Sequence, residues 1–171
     1  MPPTDVRSEA LRIIARWLDT AEFPDRMISG TGTDRALLTE LVYGAVRRRR
    51  TFEWLATECS DRAPTPGALP ALMLGMQQLL FMDGVPDYAA VNDTVRALKG
   101  TTRNPGRVKY VNAILRRVVR ERDGLLKQLA AQPLGIRESH PEALLKRWQT
   151  TYGDERCEAL CHWNNSRPGI V

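Results

Sequence analysis

The chain has 171 residues, 43% of them hydrophobic, with a formal net charge of +5 and a pI near 9.4. That length and apolar content suit one domain with a real core, or a domain plus an appendage, and exclude a disordered chain. Three cysteines, Cys59, Cys157 and Cys161, are too few and too unevenly placed for a disulfide framework and fit a reducing cytosol. No leading run reads as a signal peptide and the apolar stretches stop well short of a membrane span, so the expectation is a soluble, cytoplasmic protein.

In chain order, residues 1–4 form a frayed end, with Thr4 or Asp5 available as N-cap. Val6, Ala10, Ile13, Ile14, Trp17 and Leu18 then predict an amphipathic helix ending near Asp19. Pro24, Gly30 and Gly32 mark residues 22–33 as a loop. Asp34 can cap a second helix carrying Leu37, Leu38, Leu41, Val42, Ala45 and Val46, which the four arginines at 47–50 should end by complementing its negative C-terminal dipole. A short helix over 52–59 follows, then a proline-rich loop over 61–70. Leu72, Met73, Met76, Leu79 and Leu80 predict the most apolar helix, one that belongs in the middle of a bundle, with Gly84 just beyond its end.

Pro86 and Asp87 open the next helix; Tyr88, Val91, Val95 and Leu98 recur at helical spacing on one face, opposite Asn92, Arg96 and Lys99. Residues 101–106 read as a flexible basic turn containing Asn104, Pro105 and Gly106. Tyr110, Val111, Ile114, Leu115, Val118 and Val119 predict a helix, and Leu125, Leu126 and Leu129 a separate short one. Pro133 and Gly135 suggest a boundary, dividing the chain into residues 1–132 and 133–171. Beyond it, helices over 141–152 and 154–163 should form a hairpin about Gly153. The chain then stops as β-forming residues begin, as if cut. No repeat and no strand alternation occurs before residue 165, so the fold class is all-α.

Catalytic constellations are absent. There is no glycine-rich strand-to-helix turn and no Ser/His/Asp set. His140 precedes Pro141 and reads as an N-cap neighbour, and Cys157, Cys161 and His162 have the wrong spacing for a zinc site. No catalytic or metal residue is assigned. Asp87 and Asp93 fall on different faces of their helix, and Asp87 reads as a capping residue. Asn92 and Asn112 are poor interior helix residues and should bond a neighbouring loop or helix end; with Asp87 they are assigned structural roles.

The charge distribution is the informative feature. Residues 95–122 carry nine basic residues against one acid, Glu121, giving +8 there and −3 over the remainder. Arg103 and Arg107 flank the turn, Lys109 opens a helix, and Arg116 and Arg120 stand four apart on it, a stripe suited to a phosphate backbone. The alternative is a solvated face with no partner; the near absence of acids favours RNA. The RNA-binding candidates are therefore Arg96, Arg103, Arg107, Lys109, Arg116, Arg117 and Arg120, joined by Arg7, Arg47 and Arg48.

Residues 34–44 (DRALLTELVYG), 85–92 (VPDYAAVN) and 109–117 (KYVNAILRR) resemble the N-terminal NusB-like domain of bacterial rRNA cytosine-C5 methyltransferases of the RsmB family. His140, Pro141 and Glu142, with Trp148, Tyr152, Gly153, Asn164 and Asn165, resemble the segment preceding the catalytic domain of those enzymes. The resemblance implies a compact NusB-like bundle of about seven helices followed by a short hairpin, and an accessory RNA-binding role. It implies rRNA as partner and a methyltransferase domain in cis. It places the S-adenosyl-L-methionine (AdoMet) site and the catalytic cysteines in that later domain, leaving no cofactor here. The alternative is an antitermination or interaction module of the free-standing NusB kind, whose relatives also bind ribosomal protein S10.

Overall fold

The computed structural model describes residues 5–28, 33–60 and 63–166, and the side chains of 33 and 34 lie outside that description. Among the described residues there are nine helices and no strand: α1 (Val6–Thr20), α2 (Thr33–Arg47), α3 (Arg49–Glu58), α4 (Leu69–Phe81), α5 (Asp87–Thr101), α6 (Pro105–Ala130), the single turn α7 (Leu134–Arg137), α8 (Glu142–Tyr152) and α9 (Asp154–Asn165). Thr4, the chain end from 167 and the side chain of Asp34, all assigned roles above, fall outside it. Asp5 does cap α1, its Oδ1 accepting from the Arg7 N–H.

The apolar helix α4 runs through the centre, against α1, α2, α3, α5 and α6. Leu72, Met73, Leu74 and Met76 are fully buried, as expected of a helix apolar around its circumference. At Gly75, a Cβ would overlap the Leu115 methyls, so the missing side chain is what lets α4 and α6 approach. A second, smaller cluster joins Leu145, Cys157 and Cys161 with Leu134 and Trp148, holding the α8–α9 hairpin together. Gly153, at φ 80°, makes the corner that a side chain would strain.

Five expectations are corrected. The arginine run does not end one helix: Arg47 closes α2, Arg48 is a break at φ −105°, ψ 22°, and Arg49 and Arg50 open α3. Those charges sit at the positive end of the α3 dipole. The conflict is offset from elsewhere: the Arg50 backbone N–H donates to Ser139 Oγ (3.0 Å), and its side chain reaches the His140 carbonyl and Glu142. Residues 105–130 form one helix rather than two, because the apolar stripe through Val118, Leu125 and Leu129 stays buried across Gly124. Asn104, Pro105 and Gly106 are not a flexible turn. Asn104 caps α6, accepting from the Arg107 N–H at 3.1 Å, and Pro105 and Gly106 are its first turn.

The buried face of α5 is also rotated from the expected one. It comprises Ala90, Val91, Thr94, Ala97 and Leu98, while Tyr88 is 72% exposed. Thr94 turns inward because its hydroxyl accepts from Gln78 Nε2 at 3.0 Å, deep in the bundle. Asp87 makes no capping bond; it stands in the first turn of α5 and pairs with Arg122 of α6 at 2.5 Å.

Candidate nucleic-acid interface

The ten basic candidates separate into distinct environments. Lys109, Arg116 and Arg120 are exposed on α6, and with Asn112 they fall at offsets of three, four and four, hence on one face. The row spans roughly 16 Å at 1.5 Å rise per residue. Arg103, exposed just before the α6 cap, extends it. Where α6 begins, a groove opens against α5. It is lined by Asn92, Val95, Lys99, Arg103, Lys109 and Asn112 among others, and its lining includes no carboxylate. None of Lys99, Arg103, Lys109, Arg116 and Arg120 has a carboxylate within 4.0 Å among the described residues.

The two asparagines are placed differently from expectation. Asn112 Oδ1 accepts from Arg116 Nε at 3.3 Å, which holds that guanidinium over the stripe, and Asn92 is exposed at the groove without a bond to a loop or helix end. Both side chains therefore border the basic surface. Lys99, left out of the candidate set, belongs to this surface too. The signal for it was its sharing a face with Asn92, seven residues being about two turns of α5.

The remaining candidates are engaged elsewhere. Arg7 Nε donates to Gln78 Oε1 at 2.8 Å and lies 3.5 Å from Asp93. Arg96 pairs with the same Asp93 at 2.9 Å and approaches Asp5 at 3.9 Å, so these two arginines and two acids form one network joining α1 to α5. Arg117 Nε donates to both carboxylate oxygens of Glu121, at 3.0 and 3.1 Å. Arg107 lies on the far side of α6 from the stripe, its guanidinium laid over Gly67 and donating to Thr102 Oγ1 at 3.2 Å. Arg47 and Arg48 line a cleft between α2 and α4, and Arg48 also borders Leu126, Leu129 and Ala130 near the end of α6. Tyr110 packs half-buried against the core.

Nothing at the buried cysteines prepares a nucleophile. Burial pushes the Cys59 thiol up to about 11, and burial with the neighbouring Cys157 pushes Cys161 up to about 11. His140 is buried, its Nδ1 2.6 Å from the Glu138 carbonyl and its ring against Trp148.

An all-helical bundle wound around one apolar helix, with a basic groove between its fifth and sixth helices, defines the class: a helical module, with no catalytic constellation among the described residues. Residues 4–120 match the NusB family, and the chain belongs to that family. It is 35% identical over 142 residues to a probable ribosomal RNA small subunit methyltransferase B of Synechocystis, covering 80% of this chain and 32% of that protein. It is 26% identical to the Bacillus subtilis counterpart, covering 94% and 38%, and 33% identical to that of Escherichia coli, covering 79% and 31%. The chain thus spans about a third of the length of these relatives. Among solved structures, antitermination factors NusB and NusE in complex with dsRNA superpose with a TM-score of 0.58 at 21% identity, over 66% of this chain and 92% of that one, which supports the fold. Among the described residues no helix is long and apolar enough to cross a membrane.

Proposed function

We propose that this NusB-family domain binds RNA through the α6 stripe and the α5–α6 groove, as the accessory part of an AdoMet-dependent rRNA cytosine-C5 methyltransferase. The observation that carries the reading is the row of Lys99, Arg103, Lys109, Arg116 and Arg120, exposed or at the groove, with no carboxylate in ion-pair distance. Guanidinium and ammonium groups left without counterions on one face suit the regularly spaced charge of a phosphate backbone. The names of the relatives supply the substrate class, ribosomal RNA of the small subunit. In this reading residues 1–132 are the RNA-binding unit, residues 133–171 begin the connection to a catalytic domain in cis, and AdoMet is held by that domain. A protein partner of the NusE kind, ribosomal protein S10, is the second reading, favoured by the solved neighbour in complex with NusE.

The test is titration of a labelled small-subunit rRNA stem-loop at several salt concentrations. Replacing Arg116 and Arg120 with Ala should weaken binding and flatten its salt dependence by about 0.7 to 0.9 per cation removed. Unchanged affinity and slope would remove the stripe from the interface. Recovery of S10 by this chain without any RNA affinity would favour the second reading.

A further inference from the structure

The cleft between α2 and α4, which shares no lining residue with the α5–α6 groove, has a volume of about 730 Å³, within the range of small-molecule sites. Its walls include Arg35, Thr39, Tyr43, Arg47, Arg48 and Gln77, and the one acid among the described residues lining it is Glu40. Two features mark it as incomplete. Arg48 stacks 4.2 Å above the Phe81 ring, and among the described residues its guanidinium makes one hydrogen bond, a long one of 3.4 Å to the Asn165 carbonyl. No carboxylate lies within 4.0 Å of it among the described residues, whereas Arg7, Arg16, Arg49, Arg50 and Arg122 each have one. Burial, and after it the adjacent Arg47, hold its pKa below the ordinary value, outweighing the opposing pull of the Glu138 carboxylate.

The second feature is Gln77. It is 3% exposed, yet its Oε1 has no hydrogen-bond partner. Its amide is pressed onto Gly44, where any Cβ would overlap it, so the glycine is what allows a polar group at this depth. A buried acceptor left unpaired is costly, and the cost is recovered when a ligand supplies a donor. The cleft therefore presents guanidinium groups for an anion and an acceptor for an N–H. Tyr43 adds a further hydroxyl donor to the lining.

We infer that the α2–α4 cleft is a second ligand site that takes a nucleotide, its phosphate held by Arg48 and Arg47 and an N–H of its base donated to Gln77 Oε1. Among the described lining residues, three guanidinium groups against one carboxylate match a phosphate dianion better than a single carboxylate, and arginine forks suit phosphate oxygens. The nucleotide comes either free or as one unit of an RNA strand, and the chemistry of the site is the same for both. The site shares no residue with the α6 stripe, so it stands or falls apart from the proposed function.

The test is an NMR titration of the isotope-labelled protein with uridine 5′-monophosphate, guanosine 5′-monophosphate, uridine, inorganic phosphate and a 5′-phosphorylated RNA tetramer. A mononucleotide should shift the Gln77 amide and the Arg48 Nε–H with a Kd below about 1 mM. The nucleoside and phosphate alone should bind at least about tenfold more weakly, each having half of the contacts. Replacing Arg35 and Arg47 with Ser, with folding checked by thermal melting, should weaken the mononucleotide about tenfold, while R116A/R120A should leave it unchanged. The tetramer outbinding the mononucleotide identifies an RNA strand as the source, and the reverse identifies a free nucleotide. No shift up to about 10 mM, equal binding by phosphate alone, or capture of an acidic peptide at this cleft without any response to nucleotide would overturn the proposal.

Discussion

Arg96 and Lys99 stand three residues apart on α5, yet Arg96 lies 2.9 Å from Asp93 while Lys99 borders the α5–α6 groove with no carboxylate near it. The same division runs through the whole basic segment. Arg7 and Arg96 share Asp93 and Asp5 in a network that ties α1 to α5; Lys109, Arg116 and Arg120 project from α6 with no acid to meet them. Both sets contribute equally to a charge count. Only the second leaves its charge available to a polyanion, because a neutralised cation releases little on meeting a phosphate.

The largest expected effect removes the support beneath the unpaired set. Leu115 is fully buried where α6 meets Gly75 of α4, so Leu115→Ala should cost about 2–5 kcal/mol in a denaturant titration. The folded fraction should keep its salt slope for RNA, and a changed slope would mean that the core, rather than the charges, shapes the surface. Next is the paired set: Arg7→Ala strands Gln78 Oε1 inside the bundle and should cost about 1–3 kcal/mol, with RNA affinity held within about twofold. A tenfold loss of affinity in a folded Arg7→Ala protein would erase the distinction between the two sets. Ser139→Ala removes the side-chain acceptor at the start of α3 and should cost about 1 kcal/mol with no effect on RNA. Arg117→Ala breaks an exposed pair with Glu121 and should change stability by no more than about 0.5 kcal/mol.

Helix identity and the central place of α4 were legible because apolar periodicity reports burial directly. Misreadings arose where a distant residue decided a local outcome. The arginines at 49 and 50 open a helix against their dipole preference because Ser139, 89 residues on, supplies the acceptor. Tyr88 faces water and Thr94 faces inward because Gln78 of α4 waits there with an amide to satisfy. Leu125 and Leu129 continue α6 because burial of their side chains outweighs the roughly 1 kcal/mol that Gly124 costs a helix. The basic surface was readable as a segment but not as a face: Arg107 and Arg117 share its sequence, and the partners that withdraw them, Thr102 and Glu121, are visible only once α6 is folded.

The central claim is that unpaired charge, not total charge, makes the interface. Its most direct measurement compares two double variants of equal charge loss, R7A/R96A and K109A/R116A, in the slope of log affinity against log salt for a small-subunit rRNA stem-loop. The account predicts an unchanged slope for the first and a slope shallower by about 1.4 to 1.8 for the second. Equal flattening by both, or a larger effect from R7A/R96A, would contradict it.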